Sequence, residues 1–178
     1  MRYTANNVKL WVEDIKEYDQ NQPLQQAYQP AFVALDTQSR PSSGKPRSSL
    51  TERLDLDNRD LTQVPNLATE EMLKLLNLQH NLISSIDGLQ VLSRLVFLDL
   101  YDNRVVDMKP LSNLKSLRVL MLGKNRIEEV CGLREMSKLD VLDIHSNRLQ
   151  NMNGIAHLDS LRVLNLAGNY ITRIENLG

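Results

Sequence analysis

A single cysteine, Cys131, rules out an internal disulfide and any cysteine-clustered metal site. What remains for that thiol is the role of an inert, half-buried side chain in a reducing compartment. An excess of one charge is missing as well: 21 Lys and Arg stand against 22 Asp and Glu, a formal net charge of -1. No global field therefore draws the chain onto nucleic acid or anionic membrane, and a partner has to be recognised by a local surface. No stretch approaches the roughly 18 uninterrupted apolar residues of a membrane span. Met1 to Leu10 carry no apolar run of the secretory kind after Arg2. These absences predict a cytoplasmic protein without a membrane or nucleic-acid partner. Aromatic residues make up only 4% while leucine is abundant, a skew that ordinary cores do not show and that points to internal repetition.

Stepping by 22 from Thr51 gives Leu73, Leu95, Leu117, Leu139 and Leu161 without an insertion or deletion. Three and five residues into each unit stand Leu54 and Leu56, Leu76 and Leu78, Leu98 and Leu100, Leu120 and Leu122, Leu142 and Ile144, Leu164 and Leu166. Eight residues in come Arg59 and then Asn81, Asn103, Asn125, Asn147 and Asn169. Three further apolar columns begin at Leu61, Val64 and Leu67 and recur at the same period. The unit reads L-x-x-L-x-L-x-x-N-x-I-x-x-I-x-x-L.

Each part has a mechanical role in a stacked coil. Alternation at L-x-L is a strand signal, with both leucines turned inward, so each unit adds one short strand to a parallel sheet. The asparagine amide both donates and accepts, which suits it to backbone groups left over at the bend. Apolar residues three apart suit short helical turns on the return side. The expected fold is α/β: a solenoid of six 22-residue units over 51–178, the last incomplete, with parallel strands on the concave face and helical turns or loops on the convex face.

This spacing resembles the bipartite leucine-rich repeats of the phosphatase-1 regulatory subunit class and their cytoskeletal relatives, from Thr51 to Gly178. The runs ERLDLDNRDLT (52–62), RLVFLDLYDNRV (94–105), LRVLMLGKNRI (117–127), LDVLDIHSNRL (139–149) and LRVLNLAGNYITRIENL (161–177) are similar to the leucine-rich-repeat subunits of tubulin polyglutamylase complexes. Axonemal dynein assembly factors share several of these runs. The resemblance implies a non-catalytic subunit of a complex that adds glutamates to tubulin tails, linked to microtubules, cilia and basal bodies.

Residues 1–50 depart from the pattern. Five glutamines lie between Gln20 and Gln29, and Ser39 to Ser49 reads SRPSSGKPRSS, a composition that builds no core and predicts a flexible tail. Val8, Trp11, Val12, Ile15 and Tyr18 fall at helical spacing, which suits a short amphipathic helix over 8–18. Two roles for it stand open. It packs on the first unit, where Arg53 and Arg59 break the pattern, or it enters a partner's groove with Trp11 as anchor.

Residues that carry chemistry recur by register instead of converging, which argues against an enzyme. His80, His145 and His157 read as surface residues, and no metal-ligand spacing is found. Gly123 and Lys124 lack the upstream glycine of a phosphate-binding loop, with Arg118 in its place, so no cofactor is expected.

The residues flanking the inward leucines form columns on the concave face. One runs Arg53, Leu75, Phe97, Val119, Val141, Val163 and is apolar from the second unit on. A second runs Asp55, Asn77, Asp99, Met121, Asp143, Asn165, and a third Asp57, Gln79, Tyr101, Gly123, His145, Ala167. Arg104, Arg126 and Arg148 make a basic edge, one per unit. An exposed apolar stripe rimmed by charge is what a partner surface looks like, and solenoids bind on this face. The expected partner is a protein, with tubulin-modifying complex subunits suggested by the resemblance, and the chain is a monomer within that hetero-complex. A phosphatase regulator using the same face is the alternative, while the concave aspartates and near-neutral charge disfavour RNA. The sixth unit stops at Gly178, short of position 182, so a longer solenoid is expected, with Leu164, Leu166, Ile171 and Ile174 at an open end. A second copy or the N-terminal tail folding back is the other way to cover that end.

Overall fold

The computed structural model describes residues 52–172 together with the strand backbones Thr4–Ala5 and Val8–Trp11. The chain divides into two compact units, residues 1–13 with 48–178 and residues 14–47, and every described residue belongs to the first. The expected tail flexibility, and a helix beyond Trp11, lie outside the described residues.

The strands are β1 (Thr4–Ala5), β2 (Val8–Trp11), β3 (Arg53–Asp55), β4 (Leu75–Asn77), β5 (Phe97–Asp99), β6 (Val119–Met121), β7 (Val141–Asp143) and β8 (Val163–Asn165). They form one sheet in the order β1-β2-β8-β7-β6-β5-β4-β3. From β3 to β8 every pair is parallel and in a 22-residue register, as in Leu54 with Leu76, Leu98 with Leu120 and Leu142 with Leu164. The period of the sequence is thus the period of the stack. One residue of slip would turn every inward leucine outward, and this locks the register.

Leu76, Leu78, Leu98, Leu100, Leu120, Leu122, Leu142 and Ile144 are fully buried, and each such side chain contributes roughly 1.5 to 3 kcal/mol by leaving water. The return side is built of tight turns, with 3-10 segments at Leu89–Val91 and Lys109–Asn113; no α-helix occurs among the described residues. Bonds from Leu92 N–H to Leu89 O and from Leu95 N–H to Leu92 O, both 3.0 Å, set the three-residue step. That step brings in Leu92, Leu114, Met136 and Leu158, a buried column beyond those read from the repeat.

Asparagine closes the strands β4 to β8 as expected, whereas Arg59 stands at that position after β3. Asn125 donates to Leu100 O, Leu122 O and Gly123 O and accepts from Val105 N–H, at 2.9 to 3.2 Å, joining two neighbouring coils through one amide. The residue before each asparagine is left-handed: His80, Asp102, Lys124 and Ser146 have φ of 52 to 54°. Such a backbone is strained for residues with a Cβ and persists where neighbouring bonds over-determine it, here through the asparagine ladder.

Two expectations are corrected. Val8–Trp11 is a strand, antiparallel to β1 and parallel to β8 with Lys9 opposite Val163, so it joins the last coil and not the first. Val8, Leu10 and Trp11 carry β-branched, aliphatic and aromatic side chains that suit a strand, and an open sheet edge with free backbone groups outweighs weak helical periodicity in so short a segment. Leu164 and Leu166, expected at an open end, are buried, as that edge already carries β2; Ile171 is partly buried and Ile174 lies outside the described residues.

Candidate functional site

The three flanking columns lie on the sheet face turned away from the leucine core, since none of their members belongs to the buried cluster inside the coils. Their exposure differs from the sequence expectation. Leu75, Phe97, Val119 and Val141 are only 2%, 5%, 4% and 7% exposed, so the apolar column is not an exposed stripe. At the ends of the column Arg53 is exposed and Val163 half-buried. The accessible part of the face is the next two columns, where Asp99, Met121, Tyr101 and His145 are partly exposed, and the edge, where Arg104, Arg126 and Arg148 are exposed. Arg148 meets Glu128 at 3.6 Å, an exposed pair of little energetic weight.

Tyr101, His145 and Asp143 are brought together. His145 Nδ1 lies 2.6 Å from Asp143 Oδ1, and the Tyr101 and His145 rings meet with centroids 5.8 Å apart, although one coil lies between theirs. Gly123, between them, makes the meeting possible, because a Cβ there would fall on the His145 ring. His145, read as a surface residue, is thus half-buried and held on a buried carboxylate. His80 joins from the other side: its ring stands edge-on to Tyr101 at 5.3 Å, and its Nδ1 lies 2.9 Å from Asp102 Oδ2. The Lys124 ammonium sits 5.2 Å from the Tyr101 centroid. The sequence reading missed His80, Asp102 and Lys124 as members; their shared position one residue before each asparagine was the available signal.

Burial pushes the Asp99 carboxyl up to about 6; the Tyr101 backbone N–H opposes this, and the charge of Asp143 adds to it. Burial also pushes the Cys131 thiol up, partly offset by a backbone hydrogen bond to Met108, which keeps the thiolate population low. Among the described residues, no group of three or more His, Cys, Asp or Glu is placed to hold a metal. What the arrangement offers is a polar, aromatic and acidic patch beside an arginine edge. It has the makings of a recognition surface.

Residues 115–171 match the family described as Leucine rich repeat, and residues 93–135 that described as Leucine Rich repeats (2 copies). The chain is similar to human (Homo sapiens) Leucine-rich repeat-containing protein 49, 44% identical over 58 residues, and to the mouse (Mus musculus) protein of the same name, 44% over 68 residues. These stretches cover 33% and 38% of the chain but only 8% and 9% of the two relatives, so the chain spans a small part of their length. Among solved structures it is similar to an internalin (inlF) from Listeria monocytogenes, with a TM-score of 0.64 and 30% identity over 67% of this chain and 36% of that one. The LRR ectodomain of the receptor kinase SOBIR1 from Arabidopsis thaliana gives a TM-score of 0.56 at 24% identity, over 66% of this chain and 70% of that one, a likeness of fold alone.

Proposed function

We infer that this chain, a leucine-rich-repeat protein, is a non-catalytic scaffold that holds a protein partner on the outward face of its sheet. The observation that carries this reading is the face itself: strands in unbroken register present columns of side chains that the core does not consume. A rigid parallel ladder of this kind positions many weak contacts at fixed spacing, which is how solenoids bind. The contacting residues are Asp99, Met121, Tyr101, Asp143, His145 and the edge arginines Arg104, Arg126 and Arg148, seated on the buried row Leu75, Phe97, Val119 and Val141.

The setting is a microtubule-associated assembly, of the tubulin polyglutamylase or ciliary kind, in the cytoplasm. The runs at 94–105 and 139–149 support this through their resemblance, as does the similarity to Leucine-rich repeat-containing protein 49. Three arginines at coil spacing suit an acidic, glutamate-rich tail. The test is affinity capture with the full chain, wild type and Arg126→Glu/Arg148→Glu, read by mass spectrometry. Recovery of tubulin-ligase subunits or tubulin by wild type, weakened in the variant and by raising salt as the Debye length shrinks from roughly 10 to 8 Å, supports the reading. Recovery of no cytoskeletal or tubulin-modifying protein counts decisively against that setting.

A further inference from the structure

Four residues of the second column share one local geometry. Asn77, Asp99, Asp143 and Asn165 each turn a side-chain oxygen onto the N–H two residues ahead, that of Gln79, Tyr101, His145 and Ala167, at 3.1, 2.9, 3.1 and 3.2 Å. A neutral amide does this at two of the positions, so the turn does not require the negative charge carried at the other two. That charge is expensive where it stands. Asp143 is 1% exposed, and while its Oδ1 receives both the His145 backbone N–H and the ring Nδ1, its Oδ2 is buried without a hydrogen-bond partner. A buried carboxylate oxygen without a donor is among the least favourable arrangements a fold tolerates. Asp99 lies two strands away across Met121, its own carboxyl short of solvation and facing the like charge of Asp143. Among the described residues, no lysine or arginine is ion-paired with either carboxylate.

The geometry points to Asp143, supported by Asp99, as the receptor for one basic side chain, arginine or lysine, of the docked protein partner. This deepens the scaffold reading and rests on it. The way in is through His145. Its ring touches Tyr101 only because Gly123 carries no side chain between them, and of the two donors to Asp143 Oδ1 it is the side-chain one, the other being the His145 backbone N–H. An arriving guanidinium or ammonium then takes over Oδ1 from the imidazole and supplies Oδ2 with the donor it lacks, a charge-assisted bond of the strong kind. The Tyr101 ring already receives the Lys124 ammonium, so contact between a cation and this aromatic face is native to the cluster.

The experiment uses the full chain labelled at the aspartate carboxyl carbons, titrated with the blocked tripeptides acetyl-Ala-Arg-Ala-amide, its lysine counterpart and its uncharged citrulline counterpart. The cationic probes are expected to shift the Asp143 and Asp99 carboxyl resonances and the citrulline probe to leave them in place. Asp143→Asn is expected to weaken the arginine probe about tenfold or more, with an unfolding midpoint at or above that of wild type. Asp99→Asn gives a smaller loss and serves as the second variant. Carboxyl resonances unmoved at about 10 mM arginine probe overturn the proposal. An equal response to citrulline overturns it too. If a captured partner binds Asp143→Asn as well as wild type but is lost by the Arg126→Glu/Arg148→Glu variant, the receptor is wrong and the scaffold stands. A partner indifferent to both sets of changes removes the binding face and the receptor together.

Discussion

Replacing Asn125 with alanine removes one rung of the ladder that ties the coils, and the structure allows the cost to be worked out atom by atom. Three carbonyls lose a donor, yet none is left alone: Leu100 O keeps the Asn103 amide, Leu122 O keeps the Asn147 amide, and Gly123 O keeps the Asp102 N–H. Val105 N–H, buried, loses the Asn125 oxygen that satisfies it. One orphaned buried N–H costs about 1 to 3 kcal/mol, and thinning three shared carbonyls adds roughly 1 kcal/mol, so Asn125→Ala should cost about 2 to 4 kcal/mol. The sharing makes a sharper prediction. In the double variant Asn125→Ala/Asn147→Ala, Leu122 O loses both of its side-chain donors, so the loss should exceed the sum of the single losses by about 1 to 3 kcal/mol. Asn81→Ala/Asn147→Ala shares no carbonyl and should be additive within about 0.5 kcal/mol. Urea unfolding of the full chain, followed by circular dichroism, measures all of these. Equal coupling in the two pairs, or additivity in the adjacent one, would refute the ladder as the device that couples neighbouring coils.

Leu120→Ala, in the middle strand and fully buried, should cost about 2 to 5 kcal/mol, and an unchanged unfolding midpoint would mean the inward register is misassigned. The carboxyl of Asp99 holds its proton more tightly folded than unfolded, so its contribution to stability falls as pH rises from about 4 to about 6 and stays low above. Asp99→Asn, an amide already tolerated at Asn77 and Asn165, should flatten that slope and gain at most on the order of 3 kcal/mol above pH 6; parallel pH profiles for wild type and variant would contradict it. Gly123→Ala should cost about 1 to 3 kcal/mol, because the new methyl pushes the His145 ring off Asp143, whose Oδ1 then loses one of its two donors, and it should break the Tyr101–His145 contact. Ring-to-ring nuclear Overhauser effects report that directly, and their survival in the variant would show that the gap is not what brings the rings together.

The stack itself was legible in the residues before any coordinates. A 22-residue period without insertions dictates the coil, L-x-L dictates the strand, and an amide at the bend dictates the ladder, because each follows from bonding between neighbours a fixed number of residues apart. Even the column Leu92, Leu114, Met136, Leu158 carried the same period and needed only one more step of three to be read. What one period cannot convey is what happens between coils on the outward face or between distant parts of the chain. Whether Phe97 and Val141 are exposed depends on packing around them, and pattern alone made them a stripe that the structure buries. Val8 to Tyr18 has helical spacing, but Val8–Trp11 pairs with β8 through a sheet edge more than 150 residues away, a contact for which local periodicity holds no information. The Tyr101–His145–Asp143 cluster likewise exists because Gly123 lets side chains two coils apart touch. Local bonding at a fixed repeat distance is written in the sequence, whereas the buried charge of Asp143 with its unmet oxygen is a property of the assembled sheet.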